Sequence, residues 1–136
     1  SAIAVVVEQA LERSGCKAED IAALKTHGTA SLLNDEAEAA GLRRVFQSAP
    51  AVCALKPYIG HTFGACGIAE LALFCSSVER GMLPGTPGIA AGDSDLDVVL
   101  NQALRSQEPG KFMLNYFGFG GSNTSLIVAN DGARSE

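Results

Sequence analysis

Two histidines, a lysine and a glutamate stand where their chemistry is hard to ignore. The stretch "LKPYIGHTFGACGIAE", Leu55 to Glu70, sets Lys56, His61 and Glu70 into an otherwise apolar, glycine-rich run. Ionisable groups are costly to bury unless they are paired or put to use. The other histidine, His27, sits in "THGTAS", again beside a glycine. A lone histidine is more often structural, but two of them on glycine-flanked turns make a candidate functional pair. Glu70 has Cys66, Gly67, Leu73 and Phe74 as its neighbours on a helix, an apolar face. A carboxylate there requires a cation, and Lys56 is the nearest in sequence. The alternative, with Glu70 and Lys56 both solvated, fits the periodicity less well. A third cluster, "YFGFGGSN" (Tyr116 to Asn123), reads as a tight turn presenting an aromatic ring. Its spacing is wrong for a dinucleotide fingerprint, and a strand follows it instead of a helix.

The elements that must position these groups follow from periodicity. Ala2, Ile3, Val6, Val7, Ala10 and Leu11 predict an amphipathic helix over residues 2–14, ending near Gly15. Only Ser1 is available to cap it, so the chain is expected to begin abruptly at a helix. "DIAALKT" (Asp20 to Thr26) predicts a short buried strand. A helix is expected from an Asn34 or Asp35 cap to Phe46, with Ala37, Ala40, Leu42, Val45 and Phe46 inward. "AVCAL" (Ala51 to Leu55) predicts a second buried strand. A helix from about Phe63 to Arg80, apolar nearly all round, is expected to be central. "GMLPGTPG" is a turn-rich link, and residues 89–110 read as a loop with one short strand at Asp97 to Leu100. "KFMLNYFGF" and "SNTSLIVAN" predict a hairpin. The order implies an α/β layered fold on a mixed sheet. Both histidines then fall just past strands, where sites collect in such sheets.

Composition narrows the function. The 136 residues fit one domain or part of one, and 47% are apolar, enough for a filled core. A formal charge of −5 argues against nucleic acid or an anionic membrane as partner. The most apolar run, Gly67 to Cys75, is too short to span a bilayer. Cys16, Cys53, Cys66 and Cys75 lack metal-binding spacing and sit in apolar contexts, so reduced thiols and a cytoplasmic location are expected. No metal or organic cofactor is indicated.

Taken together, the motifs resemble the C-terminal half of a β-ketoacyl-acyl-carrier-protein synthase, a condensing enzyme of thiolase-like fold. "THGTAS" resembles the family's first histidine motif. Lys56, Gly60-His61, "GACG" and Glu70 resemble its lysine, Gly-His, helix start and glutamate. Gly118 to Asn123 resembles its Gly-Phe-Gly-Gly-x-Asn turn. The match covers roughly residues 2–130, leaving 131–136 as a tail. It implies a half-domain of layered helices on a mixed, five-stranded type of sheet, with the first strand missing.

The resemblance also implies a cysteine–histidine–histidine site. His27 and His61 would donate hydrogen bonds to the malonyl thioester oxygen as carbon dioxide leaves, stabilising the enolate. Neutral imidazoles suffice for this, and the dipole of a helix starting at His61 would favour neutrality there. Lys56 would be a further catalytic group held by Glu70, with Thr29 and Ser31 in support. Phe119 would gate the acyl pocket on the mobile glycines Gly118, Gly120 and Gly121. Ala30-Ser31, "LLND" and Pro57 depart from the family pattern without removing a named group. Asn34 stands where a glycine is usual but can adopt positive φ.

The family's nucleophilic cysteine has no counterpart among the four. Cys75 is deep in a predicted helix, and Cys53 and Cys66 are expected in the core. The chain is therefore expected to be one piece of a synthase, inactive alone, acting with an N-terminal half and in a homodimer or heterodimer. Its partners would be acyl-carrier protein and its acyl and malonyl thioesters, with Arg43-Arg44 as a local basic docking spot. A non-catalytic, chain-length-factor-like subunit is the alternative. A thiolase is a third reading, which the Lys and Gly-His spacing fits less well.

Overall fold

A computed structural model describes residues 1–89, 98 and 100–132. Helix α1 (Ala2–Ser14) is followed by strand β1 (Ile21–Lys25), helix α2 (Leu32–Val45), strand β2 (Ala51–Cys53) and a single helical turn α3 (Lys56–Ile59). Helix α4 (Cys66–Glu79) comes next, then the short strands β3 (Met82–Leu83) and β4 (Arg105–Ser106), and the hairpin β5 (Gly110–Phe117) and β6 (Asn123–Asn130). The main sheet has the order β2-β1-β5-β6. β1 runs parallel to β2 and β5, and β6 is antiparallel to β5. A fifth place, beyond β2, is marked by one parallel bridge from Leu100 to Val52. The expected mixed α/β sheet is present. Asp97 and Val99 of the strand anticipated at Asp97 to Leu100 lie outside the described residues, as does most of the 131–136 tail.

Alternation along the strands sends side chains to two different layers. On one face, Leu24 and Met113 join Ile3, Val7 and Leu11 of α1 and Leu42 of α2 in one apolar cluster. On the other, Ala23, Phe112 and Leu114 join Phe74 and Val78 of α4 in a second. A register shift between Ile21 and Ala23 lets Ile21 share the α1 side with Leu24, three residues on. By the same alternation Asn115 points towards α2, and Lys25 and Tyr116 point towards α4. The end of β1 is thus where the two layers can both reach the chain.

Several local expectations change. α2 begins at Leu32 with Ser31 preceding it, so Asn34 and Asp35 lie inside the helix. The positive φ near there belongs to Ala30, at 59°, and not to Asn34. The buried face of α2 is Glu38, Ala39, Gly41 and Leu42, while Ala37 and Ala40 are exposed. Counting only apolar residues misplaced that face, because a buried glutamate and a glycine mark it. Helix α4 covers the sheet with Glu70, Phe74 and Val78 but leaves Ile68 and Leu73 exposed, so it is an outer layer of the described residues.

Gly41 allows α1 and α2 to meet. A Cβ there would stand 2.6 Å from Ile3 Cγ2 and 2.9 Å from Ile3 Cβ. Gly41→Val is expected to destabilise the protein by about 1–3 kcal/mol through overpacking. Adding Ile3→Ala should recover part of that loss. Chemical denaturation of the two variants and the double variant checks this.

Candidate active site

The centre of the site is a carboxylate between two lysines. Glu70 on α4 is fully buried. Its Oε1 accepts from Lys25 Nζ at 2.9 Å and its Oε2 from Lys56 Nζ at 3.0 Å. Lys25, the last residue of β1, is also fully buried, with its ammonium 3.8 Å from the centre of the Tyr116 ring. The expected Lys56–Glu70 pair is present, with Lys56 opening α3. Lys25 was not anticipated: within "IAALK" it looks like the charged end of a strand. Burial lowers its pKa, and the Glu70 charge opposes that. Removing Glu70 would strand two buried cations, a change that costs about 3–5 kcal/mol for one such pair.

Lys56 carries this charge to His27. Its Nζ donates to the His27 carbonyl at 2.5 Å and approaches His27 Nδ1 at 3.4 Å. An ammonium has no acceptor, so Nδ1 must accept and the ring proton resides on Nε2. His27 is 6% exposed. Burial, then the Lys56 and Lys25 charges, lower its pKa to about 4, so it is neutral at pH 7. Gly28, with φ of 54°, turns the chain away immediately after it. A Cβ at Gly28 would lie 2.9 Å from Thr26 Oγ1 and 3.0 Å from Ala54 Cβ, so both conformation and space require glycine.

His61 faces His27 edge to face, with ring centroids 5.8 Å apart. Its Nδ1 accepts the Phe63 backbone N–H at 3.1 Å, which again leaves the proton on Nε2. The helical turn Phe63–Ala65 and then α4 begin beyond His61, so the ring takes an unsatisfied N–H of that turn instead of sitting at the helix end. The Phe63 ring stacks on His61 at 4.7 Å, and the Phe117 ring lies 6.0 Å from His27. The result is two adjacent imidazoles, each with its Nδ1 occupied and, among the described residues, no hydrogen-bond partner at Nε2.

Glu38 approaches from the opposite layer. Both its oxygens accept the His27 backbone N–H at 3.1 Å. Asn115 Nδ2 donates to Oε1 at 3.3 Å, and Ser125 Oγ donates to Asn115 Oδ1 at 2.8 Å. His27 is therefore held at its N–H from α2 and at its carbonyl through Lys56.

This chain matches the family described as beta-ketoacyl synthase, C-terminal domain, over residues 1–90. The chain belongs to the β-ketoacyl synthase family. The 3-oxoacyl-[acyl-carrier-protein] synthase 2 of Vibrio cholerae is 32% identical over 130 residues, covering 91% of this chain and 31% of that protein. The non-reducing polyketide synthase sor2 of Hypocrea jecorina is 32% identical over 138 residues, covering 90% of this chain and 5% of that protein. Among solved structures, the ishigamide ketosynthase/chain length factor superposes with a TM-score of 0.86 at 29% identity, over 96% of this chain and 33% of the other. The chain thus spans less than a third of these curated relatives. The fold is that of the thiolase-like ketosynthases.

Within this ketosynthase half-domain, the other residues singled out from sequence take varied positions. Thr29 Oγ1 accepts from Asn34 Nδ2 at 3.2 Å, and Ser31 is exposed. Gly118 N–H donates to the Ser122 carbonyl at 3.0 Å, closing the turn between β5 and β6. Gly120 and Gly121 have φ of 72° and 79°. The side chain of Phe119 lies outside what is described, and Phe117 is the residue of this motif whose ring meets His27. Cys53 is buried in β2, and burial pushes its thiol up to about 12. Cys75, inside α4, is also shifted upward by burial and by Glu79. Cys66 is only partly buried, not a core residue, because α4 first meets the sheet one turn later at Glu70. Among the described residues, no helix is long and apolar enough to cross a membrane.

Burial pushes Glu38 up to about 7, against the pull of its hydrogen bonds from His27 and Asn115. A carboxyl raised above its ordinary value contributes stability at low pH and loses it as pH rises through the folded pKa. His27, lowered to about 4, does the reverse and loses stability as pH falls below 6.5. The native protein should therefore lose about 3 kcal/mol from Glu38 between about pH 4.5 and 7. His27 offsets most of this in the wild type, so Glu38→Gln is expected to abolish the loss and unmask a net gain in stability as pH rises over the same range. Denaturation midpoints across pH 4 to 8 check the sign.

Proposed function

We propose that this chain is the part of a β-ketoacyl synthase that decarboxylates malonyl-carrier protein and stabilises the resulting enolate for condensation. The observation that carries this reading is the pair of adjacent imidazoles with both Nδ1 atoms occupied and, among the described residues, no partner at either Nε2. In this reading the two donors share one thioester oxygen and receive the charge that develops as the bond to the malonyl carboxylate breaks. Its electron pair moves into the thioester, carbon dioxide departs, and the oxygen becomes an enolate oxyanion. The enolate carbon then attacks an acyl thioester, forming the new carbon–carbon bond and expelling the thiolate that carried the acyl group. Preorganised donors lower this barrier because they need no reorientation during reaction.

The acyl-carrying cysteine is assigned to another part of the synthase. Cys53 and Cys75 have thiols shifted upward and no cationic helix end beside them, the opposite of an activated nucleophile. Lys56 is assigned the role of holding His27 in its donor tautomer, with Glu70 supporting Lys56. Carrier-protein thioesters are the substrates in this reading, and the curated relatives include a 3-oxoacyl-[acyl-carrier-protein] synthase and a polyketide synthase.

A second reading, a chain-length-factor-like subunit, draws on the ishigamide ketosynthase/chain length factor as a structural neighbour. The two prepared donors favour the first, since a purely shaping subunit has no use for them. In the synthase carrying this chain, His27→Ala and His61→Ala should each reduce malonyl-carrier-protein decarboxylation by about 100- to 1000-fold. Release of labelled carbon dioxide measures it. Wild-type decarboxylation that survives both substitutions would overturn the assignment.

A further inference from the structure

The mechanism above uses one lysine, yet the site contains two. Lys25 is fully buried and faces α4, in a position where an apolar side chain would pack without the cost of hiding a charge. Its ammonium is fixed by Glu70 Oε1 and by the Tyr116 ring. Glu70 Oε1 is shared, since Lys56 Nζ also reaches it at 3.3 Å while making its shorter contact to Oε2 at 3.0 Å. Lys25 therefore decides how Glu70 is divided. With Oε1 committed to Lys25, Lys56 is drawn mainly to Oε2 and keeps its approach to His27 Nδ1, the longest of its contacts at 3.4 Å. Without Lys25, the carboxylate is free to take Lys56 symmetrically on both oxygens and pull it from the ring.

Resting on the decarboxylase reading, we propose that Lys25 is a positioning residue, acting through Glu70 and Lys56 to hold His27 in its neutral, Nε2-protonated form. The charges that face His27 agree with this. Lys56 of α3 and Lys25 of β1 oppose a positive ring, Glu70 of α4 favours one, and His61 faces the ring edge to face. Glu38 of α2 binds the His27 backbone and is itself pushed towards its uncharged form. One glutamate facing two lysines leaves a surplus of positive charge beside the imidazole. Lys25 supplies that surplus.

Lys25→Met, in the synthase carrying this chain, removes the charge and keeps an unbranched side chain one atom shorter. The titration of His27, followed by the carbon-13 signal of labelled histidine and assigned with His27→Gln, should shift upward by about one unit. The acid limb of malonyl decarboxylation should move the same way. Lys25→Arg retains the charge and should leave both near the wild-type position. If the Met variant does not fold, Lys25→Gln, which keeps a donor for Glu70 and loses the charge, should show the same upward shift. A His27 midpoint unchanged in a folded, uncharged variant overturns the proposal. The ring titration does not depend on turnover, so a wild-type protein without decarboxylase activity would count against the functional reading alone.

Discussion

The carboxylate of Glu70 between Lys25 and Lys56 is the interaction on which the site depends. It ties a helix to a strand and to the turn after a second strand, all through one buried group. Such a cluster is a weak source of net stability, because desolvating three charges offsets most of their attraction. What it supplies is direction. Each lysine has only donors, so every contact it makes fixes an acceptor: Glu70 Oε1, Glu70 Oε2, the His27 carbonyl, His27 Nδ1. The tautomer of His27 follows from that inventory alone.

The fold explains why such a cluster can form at the end of β1. Alternation sends Lys25 towards α4, while Asn115 in β5 points towards α2. His27 comes just after the strand ends, past the last ladder pairing at Lys25. It is held from one layer by Glu38 and from the other by Lys56, itself gripped by Glu70. Apolar clusters on both faces keep the two helices in place. The precision of the site is therefore a property of strand and helix packing, not of the glycine-rich loops that carry the histidines.

Much of this was legible in the sequence. The helix over residues 2–14, both strands before the site and the final hairpin follow from local period and turn residues. The pairing of Lys56 with Glu70 could be read because a carboxylate on an apolar helix face demands a cation. Lys25 and Glu38 could not be read as easily. Each ends or interrupts an apolar pattern and so looks like a boundary or an exposed position, while burial of each depends on a partner distant in sequence. Glu38 did leave one signal: it falls one turn before Leu42, on the side of α2 that Gly41 brings against Ile3. Phe117, whose ring meets His27, was not singled out because a motif shows which residues cluster, not which of them a neighbouring ring touches.

The two histidines reach the same state by different means. His27 is buried, and cations together with burial hold it neutral. His61 is exposed, and a single backbone N–H from Phe63 occupies its Nδ1. A backbone donor cannot titrate away, so it specifies the tautomer of a solvent-facing ring whenever that ring is neutral. A lysine can serve the buried ring because its own charge is anchored by Glu70. Two unlike environments thus present matching Nε2–H groups 5.8 Å apart by ring centroid. That convergence is hard to account for by packing alone, since packing one apolar core does not require either ring to offer Nδ1 as the acceptor.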